Sequence, residues 1–325
     1  MKKIALILLV VLLSAVIFQK PLATHLKIIL FITEEFPQIP IKPLGLLTGR
    51  PIHQKVELNS SSGKIVGDLF IPITPLNQNP SIILAMGIKT SEKDKPILLH
   101  FGQTLARLGY MTFWPRLEVL DKGESLPEEA ETFIEAFKYL EERSARISFV
   151  GFSVGSSTAF IAASNPEIAD KVHSLVFFGG YFDLFDYLMA LSSKMIVNGE
   201  KVPWEPVQDA IDHTGGLLGL AGIKLEEFKS GNLDYGQESK YQSLLRFSPS
   251  QKIKDFKGKI FILHDKSDSY VPYTESIKLF KALPKNQIAA YHISDLFEHV
   301  QPNRPINIFE LVKLYGFLYK VLSSL

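Results

Sequence analysis

Ile147-Ser-Phe-Val-Gly-Phe-Ser-Val-Gly-Ser156 is the stretch on which the reading of this chain turns. Phe149 and Val150 close a short apolar run, and Gly151-Phe152-Ser153-Val154-Gly155 follows as a tight turn. Ser156 to Ala163 then suits a helix, with Ala159, Phe160 and Ala163 at helical spacing. G-x-S-x-G between a strand and a helix sets the serine on a strained turn. The small residues two before and two after it let strand and helix approach closely. A helix N-terminus beneath the serine favours negative charge that develops there. A glycine-rich turn in an ordinary α/β domain would carry the same letters, so the rest of the chain has to discriminate.

Outward from this stretch, strand and helix signals alternate from residue 81 to 180. Ser81 to Met86 is an apolar run too short for a helix. Pro96 to Leu108 reads as a helix with Leu98, Phe101, Leu105 and Leu108 on one face, closed by Gly109. Tyr110 to Trp114 reads as a strand stopped by Pro115, and Pro127 to Arg143 as a helix with Phe133, Phe137 and Leu140 inward. Val172 to Phe178 is a further strand. This alternation argues for a parallel sheet. Upstream, Val56 to Leu58 and Lys64 to Ile71 flank the turn cluster Asn59 to Gly63 and predict an antiparallel hairpin. Residues 181–257 break the pattern and read as a mostly helical insertion. Its apolar run from Phe182 to Leu191 is expected to cover Ser153 and supply an apolar pocket. The sheet resumes with Lys259 to His264, a helix from about Thr274 to Leu283, a strand from Gln287 to Ile293 and a last helix from Ile306 to Leu325.

The 325 residues are 46% hydrophobic, ample for a core, and the net charge of +1 gives no broad pull towards nucleic acid. The absence of cysteine excludes disulfides, thiolate chemistry and cysteine-bound zinc. Neither H-E-x-x-H nor G-x-x-x-x-G-K-[ST] occurs, so zinc proteolysis and nucleotide hydrolysis have no support. Met1-Lys-Lys3 followed by the uncharged run Ile4 to Phe18 marks residues 1–20 as a membrane anchor or signal segment. An uncleaved anchor, with Lys2 and Lys3 inside, would leave the rest of the chain outside the cytoplasm; a cleaved signal would make the protein secreted. A buried first helix is the third reading. Residues 21–54, with Pro37, Pro40, Pro43 and Pro51, read as a linker to a domain over 55–325.

A serine hydroxyl becomes a good nucleophile only when a base takes its proton and an acid orients that base. Two segments after Ser153 offer such groups, each following a strand. They are His264-Asp-Lys-Ser-Asp268-Ser-Tyr-Val-Pro272 and Leu296-Phe-Glu-His299-Val-Gln-Pro302. On these motifs the chain, from roughly Lys55 to its end, resembles the α/β-hydrolase fold family. Within it, the likeness is to the dienelactone-hydrolase-like and prolyl-oligopeptidase-like serine hydrolases. Their H-G-x-x-D-x-x-V-P segment matches His264 to Pro272, with Asp265 in place of the glycine.

The resemblance implies an α/β fold with a mostly parallel central sheet flanked by helices and a helical cap insertion. It puts Ser153 in the nucleophile's position, Asp268 in the acid's and His299 in the base's. It implies an oxyanion hole from the backbone N–H of Val154 and a second donor in Met86-Gly87-Ile88, at Ile88 or, next, Gly87. The expected activity is hydrolysis of a small-molecule carboxylic ester, less so of a thioester or amide, with no cofactor, no metal and no nucleic-acid partner. A catalytically idle, membrane-anchored binding module of the same fold is the rival reading. Among rival residues, Asp183 could serve as the acid, Asp265 reads as a turn former, and His264 and His292 read as structural.

Overall fold

The computed structural model describes residues 21–61, 63–73, 79–86, 95–117, 129–198, 200–212, 214, 218, 223–230, 242 and 244–325. A first helix, α1, occupies residues 21–35, and α2 spans Leu44–Leu47. The hairpin β1 (Ile52–Ser60) and β2 (Gly63–Ile71) opens the sheet, followed by β3 (Ser81–Ala85), α3 (Lys95–Arg107), β4 (Met111–Leu117) and α4 (Glu129–Glu141). Then come β5 (Ile147–Phe152), α5 (Val154–Ala163) and β6 (Val172–Phe178). Between β6 and the next sheet strand lie α6 (Leu184–Ser193), the hairpin β7 (Met195–Asn198) and β8 (Glu200–Pro203), α7 (Gln208–Asp212) and α8 (Leu225–Lys229). The chain closes with β9 (Lys259–Asp265), α9 (Thr274–Ala282), β10 (Ile288–Ser294) and α10 (Ile308–Ser324).

The eight sheet strands run in the order β1-β2-β4-β3-β5-β6-β9-β10. β1 and β2 are antiparallel, β2 meets β4 antiparallel, and every other neighbouring pair is parallel. The parallel strands β3, β5, β6 and β9 are apolar on both faces, as a sheet covered by helices on both sides requires, whereas β1 at the edge is largely polar and exposed. Alternate residues sort cleanly. Ile83, Phe149, Leu175, Phe177, Ile260 and Ile262 join one cluster with α4, α5 and α9. Ile82, Leu84, Val150, Val176, Phe178, Phe261 and Leu263 join another with α1, α3 and α10.

Two expectations are corrected. Pro115 does not stop β4, which continues to Leu117 and pairs Pro115 with Gly67 of β2. On its other side β3 pairs only as far as Phe113, so beyond that point β4 behaves as an edge, where a missing N–H is tolerated. Residues 21–54 are not simply a linker. Ile28, Leu30 and Ile32 of α1, with Phe36 and Leu44, are buried in the second cluster. The insertion, read as mostly helical, also holds an antiparallel pair, β7 with β8. The predicted anchor over residues 1–20 lies outside the described residues. No described helix is long and apolar enough to cross a membrane.

Candidate active site

The turn at Ser153 is tight for a steric reason. A Cβ on Gly151 would lie 2.5 Å from the Cα of Ser156, and one on Gly155 would lie 2.4 Å from the carbonyl oxygens of Ala85 and Met86. Any larger residue at either position would push the helix off the strand ends. Ser153 itself takes φ 53° and ψ −137°, a conformation that costs a non-glycine residue about 1–3 kcal/mol and is held only by its surroundings. Its N–H donates to the Phe178 carbonyl at 2.8 Å. Ser156, one turn on, locks the same junction: its hydroxyl donates to the Phe178 carbonyl at 2.9 Å and accepts from the Phe178 N–H at 3.0 Å. Ser153 immediately precedes α5, so the N-terminal end of that helix's dipole lies at the serine.

Asp268 and His299 meet across the neighbouring loops. His299 Nδ1 lies 2.6 Å from Asp268 Oδ2. The other carboxylate oxygen, Oδ1, accepts the backbone N–H groups of Tyr270 at 2.7 Å and Val271 at 2.9 Å. His264, fully buried, stands 3.3 Å from Oδ2 and is itself fixed by the Ser276 hydroxyl and the Val271 carbonyl. Burial alone would push the Asp268 carboxyl up. The charge of His299 and the hydrogen bonds from His264 and His299 outweigh it and hold the group far below the usual carboxylate range. Asp268 is therefore an ionised acceptor at any ordinary pH.

The loop that carries His299 is strained as well. His299 has φ 56°, in the left-handed region. Its backbone N–H donates to Asp265 Oδ2 at 3.2 Å, and Arg304 Nη2 donates to the same oxygen at 3.0 Å. Asp265 thus does more than turn the chain: it ties β9 to the His299 loop. Gly179, at φ 67°, turns beside the pair, and a Cβ there would lie 3.6 Å from His299 and 3.7 Å from Asp268. Tyr270 stacks on the His299 ring at a centroid distance of 4.7 Å.

Ser153, Val154 and His299 line one cavity of about 580 Å³. Ile88 and Gly87, the expected second oxyanion donors, lie outside the described residues; the Met86 carbonyl that precedes them abuts Gly155. Asp183 is occupied elsewhere. It caps α6, accepting from the N–H groups of Phe185 and Asp186, and takes the Ser250 hydroxyl at 2.6 Å. His292 faces Glu310 at 3.8 Å, away from these groups. Among the described residues no group of three or more metal-ligating side chains occurs.

The insertion is tied to this region. Val154 and Val271 share a buried cluster with Tyr181, Leu184, Tyr187, Leu188 and other insertion residues. Trp204 Nε1 donates to the Asp268 carbonyl at 2.8 Å, and the Val207 N–H donates to the Ser269 carbonyl at 3.0 Å. Trp204 and Tyr270 had no sequence signal beyond being aromatic. The positioning role of Asp265 was hidden because the same letter suits a turn.

No family model matches this sequence, and no curated protein matches it. Solved structures do. A 2,6-dihydroxy-pseudo-oxynicotine hydrolase superposes with a TM-score of 0.57 at 14% identity, covering 84% of this chain and 68% of its own. The acylaminoacyl peptidase of Pyrococcus horikoshii gives 0.55 at 16% identity over 84% of this chain and 41% of the peptidase. An esterase of Pyrococcus furiosus gives 0.52 at 15% identity, covering 85% and 92%. This chain has the α/β-hydrolase fold. The spread of these neighbours, a hydrolase, a peptidase and an esterase, is the spread that the sequence resemblance implies. The chain spans about two fifths of the peptidase's length.

Proposed function

We propose that this protein is a serine hydrolase that cleaves a carboxylic ester through an acyl-enzyme on Ser153. The observation that carries the reading is the 2.6 Å contact between His299 Nδ1 and a buried, ionised Asp268, with His299 and the strained Ser153 on the wall of one cavity. In a neutral imidazole whose Nδ1–H is held by Asp268, the lone pair stands at His299 Nε2, as a general base needs. In the reaction, Ser153 Oγ bonds to the acyl carbon while His299 Nε2 takes the hydroxyl proton. The negative oxygen that forms is met by the N–H of Val154 at the start of α5, and by that of Ile88. The ester bond breaks and the alcohol leaves with the proton held by His299. Water then attacks the acyl-enzyme, giving its proton to His299, and Ser153 recovers a proton as the acid is released. Asp268 orients the imidazole and stabilises its charged form. The insertion acts as a cap over Ser153.

A fluorophosphonate probe tests the reading. Labelling of the wild type that disappears in Ser153→Ala is the expected result. Unlabelled, folded wild-type protein with no turnover of any activated ester would overturn it in favour of an idle binding module. For location, the reading is attachment to a membrane through residues 1–20, with the catalytic domain extracytoplasmic. It is supported by Leu22, Leu26 and Ile29, which follow that run on α1 and are exposed. Recovery of the full-length protein in the membrane fraction with Met1 intact is the expected result, and a mature chain beginning near residue 20–25 would replace it with a cleaved signal.

A further inference from the structure

The cavity at Ser153 changes character with depth. Near the serine it carries Tyr187, Asp209, Tyr270, His299 and Gln301, and Asp209 and Gln301 there are exposed, as is Ile97. Away from the serine it runs down the α1, α3 and α10 side of the sheet, past Val150 and Val176 to Ile82, Leu322 and Leu325, all buried. Ile82 is the second residue of β3, and the Leu322 carbonyl accepts the hydroxyl of Tyr110, the residue just before β4. The deep end therefore lies at the N-terminal ends of the strands, and Ser153 at their C-terminal ends. Along this wall α10 rises about 16 Å from Leu314 to Leu325, at ~1.5 Å per residue. That is half of the ~30 Å hydrocarbon core of a bilayer, the depth one lipid acyl chain fills.

A void along a core wall forfeits dispersion contacts over its whole length. The opposite face of the same sheet has none of its clustered residues on this cavity, so the chain is able to pack without one. Among the described residues, Glu35 of α1 is the one carboxylate on this helix-covered side of the lining; the residues around it are apolar, and such a space holds apolar guests rather than ordered water. The insertion contributes Tyr187, Asp209, Ala210 and Thr214, all at the serine end.

We propose that the cavity is an acyl-chain channel, and that the preferred substrate is an ester of a long, unbranched fatty acyl group. Its carbonyl sits at Ser153 and its tail runs between the sheet and α1, α3 and α10 towards Leu325. This proposal rests on the serine-hydrolase reading. The insertion then faces the alcohol. Each methylene withdrawn from water by the channel wall is worth about fourfold in binding.

The test uses the full-length protein with 4-nitrophenyl acetate, octanoate and hexadecanoate. The expected kcat/KM rises at least tenfold from acetate to octanoate and does not fall at hexadecanoate. Val321→Phe, at the deep end, lowers the hexadecanoate-to-octanoate ratio at least fivefold. Val150→Phe, closer to Ser153, lowers the octanoate-to-acetate ratio. In parallel, Ser153→Ala binds hexadecanoate by titration calorimetry, and adding Val321→Phe weakens that binding. A flat profile, or one that favours acetate, with no hexadecanoate bound by Ser153→Ala, overturns the channel and leaves the hydrolase standing. Hexadecanoate binding weakened by Val321→Phe in a protein that turns over no ester overturns the hydrolase and keeps the channel as a fatty-acid site. If the phenylalanine variants do not fold, the wild-type profile and the binding to Ser153→Ala decide.

Discussion

One face of the central sheet is closed by aromatic rings: Phe160 stacks on Phe256 at 4.7 Å and Phe137 on Phe149 at 6.0 Å, all four buried. On the other face Phe178 and Phe297 meet edge to face at 4.9 Å near the strand ends, but below them a cavity of about 580 Å³ stays open. The strands treat the two faces unequally, since Phe149 and Phe177 point to the first where Val150 and Val176 point to the second. The cover differs as well: α4, α5 and α9 close the first face, and α1, α3 and α10 lie over the second. The first face anchors the turn that strains Ser153, and the second gives whatever Ser153 attacks somewhere to lie.

The largest expected effect is where the two faces meet, at the strand ends. Asp268→Asn should lower kcat by about 10⁴, as this exchange does in a serine-protease triad by favouring the wrong histidine tautomer. Asp183→Asn should cost far less activity, because the Asp183 carboxylate caps α6 and takes the Ser250 hydroxyl, whereas Asp268 holds His299. Steady-state kinetics on one activated ester separates the two, and a greater loss in Asp183→Asn would reverse the assignment of the acid.

Next comes the packing contrast. Phe149→Ala removes a ring from the filled face and should destabilise by about 3–5 kcal/mol. Val150→Ala, one residue on, deletes two methyl carbons from a wall that already borders empty space, and should cost about 1 kcal/mol. Urea unfolding of both variants measures this. Equal losses would mean that the second face is as tightly packed as the first.

Much of this was legible in the chain. The alternation of Phe149 with Val150 and of Phe177 with Val176 follows the period of a strand, and the glycines around Ser153 announced a close approach that the Ala85 and Met86 carbonyls impose. The resemblance of the His264 to Pro272 segment points to Asp268 rather than Asp183 as the acid, and Asp268 is the one that meets His299. Three features were hidden for physical reasons. Pro37, Pro40 and Pro43 drew residues 21–54 towards a linker, although Ile28 and Ile32 just before them already had a core-facing spacing. The β7–β8 pair lies inside a segment whose apolar run from Phe182 to Leu191 suits a helix, and these short strands lack a long alternating pattern. The cavity is hard to see in the sequence: Ile82, Leu105 and Leu322 read as core residues, and the placement of three helices over the smaller Val150 and Val176 decides that they line a space.

The smallest effect tests a carboxyl on the open face. Glu35, at the end of α1, lines the cavity with only 15% of its side chain exposed, and its Oε1 is buried without a hydrogen-bond partner. Burial pushes its pKa up, a hydrogen bond from Thr104 pulls it down, Glu34 raises it and Lys42 lowers it; the balance is about 7 against an ordinary 4.5. His100 faces it as well, 4.0 Å away. The folded protein thus keeps a proton on Glu35 that the unfolded chain has released. Stability from this group is fully present below pH 4.5 and is lost as pH rises to about 7, by at most about 3 kcal/mol at 1.36 kcal/mol per unit. Glu35→Gln, which carries no such proton, should therefore gain on the wild type between pH 4.5 and 7 and hold a constant advantage above it. Urea unfolding at pH 4 and pH 8 checks this. An advantage that is the same at both values would mean that Glu35 titrates alike in the folded and unfolded chains, and that the wall beside it is wet; an advantage confined to pH 8 means that the open face presents a neutral, apolar wall up to about pH 7.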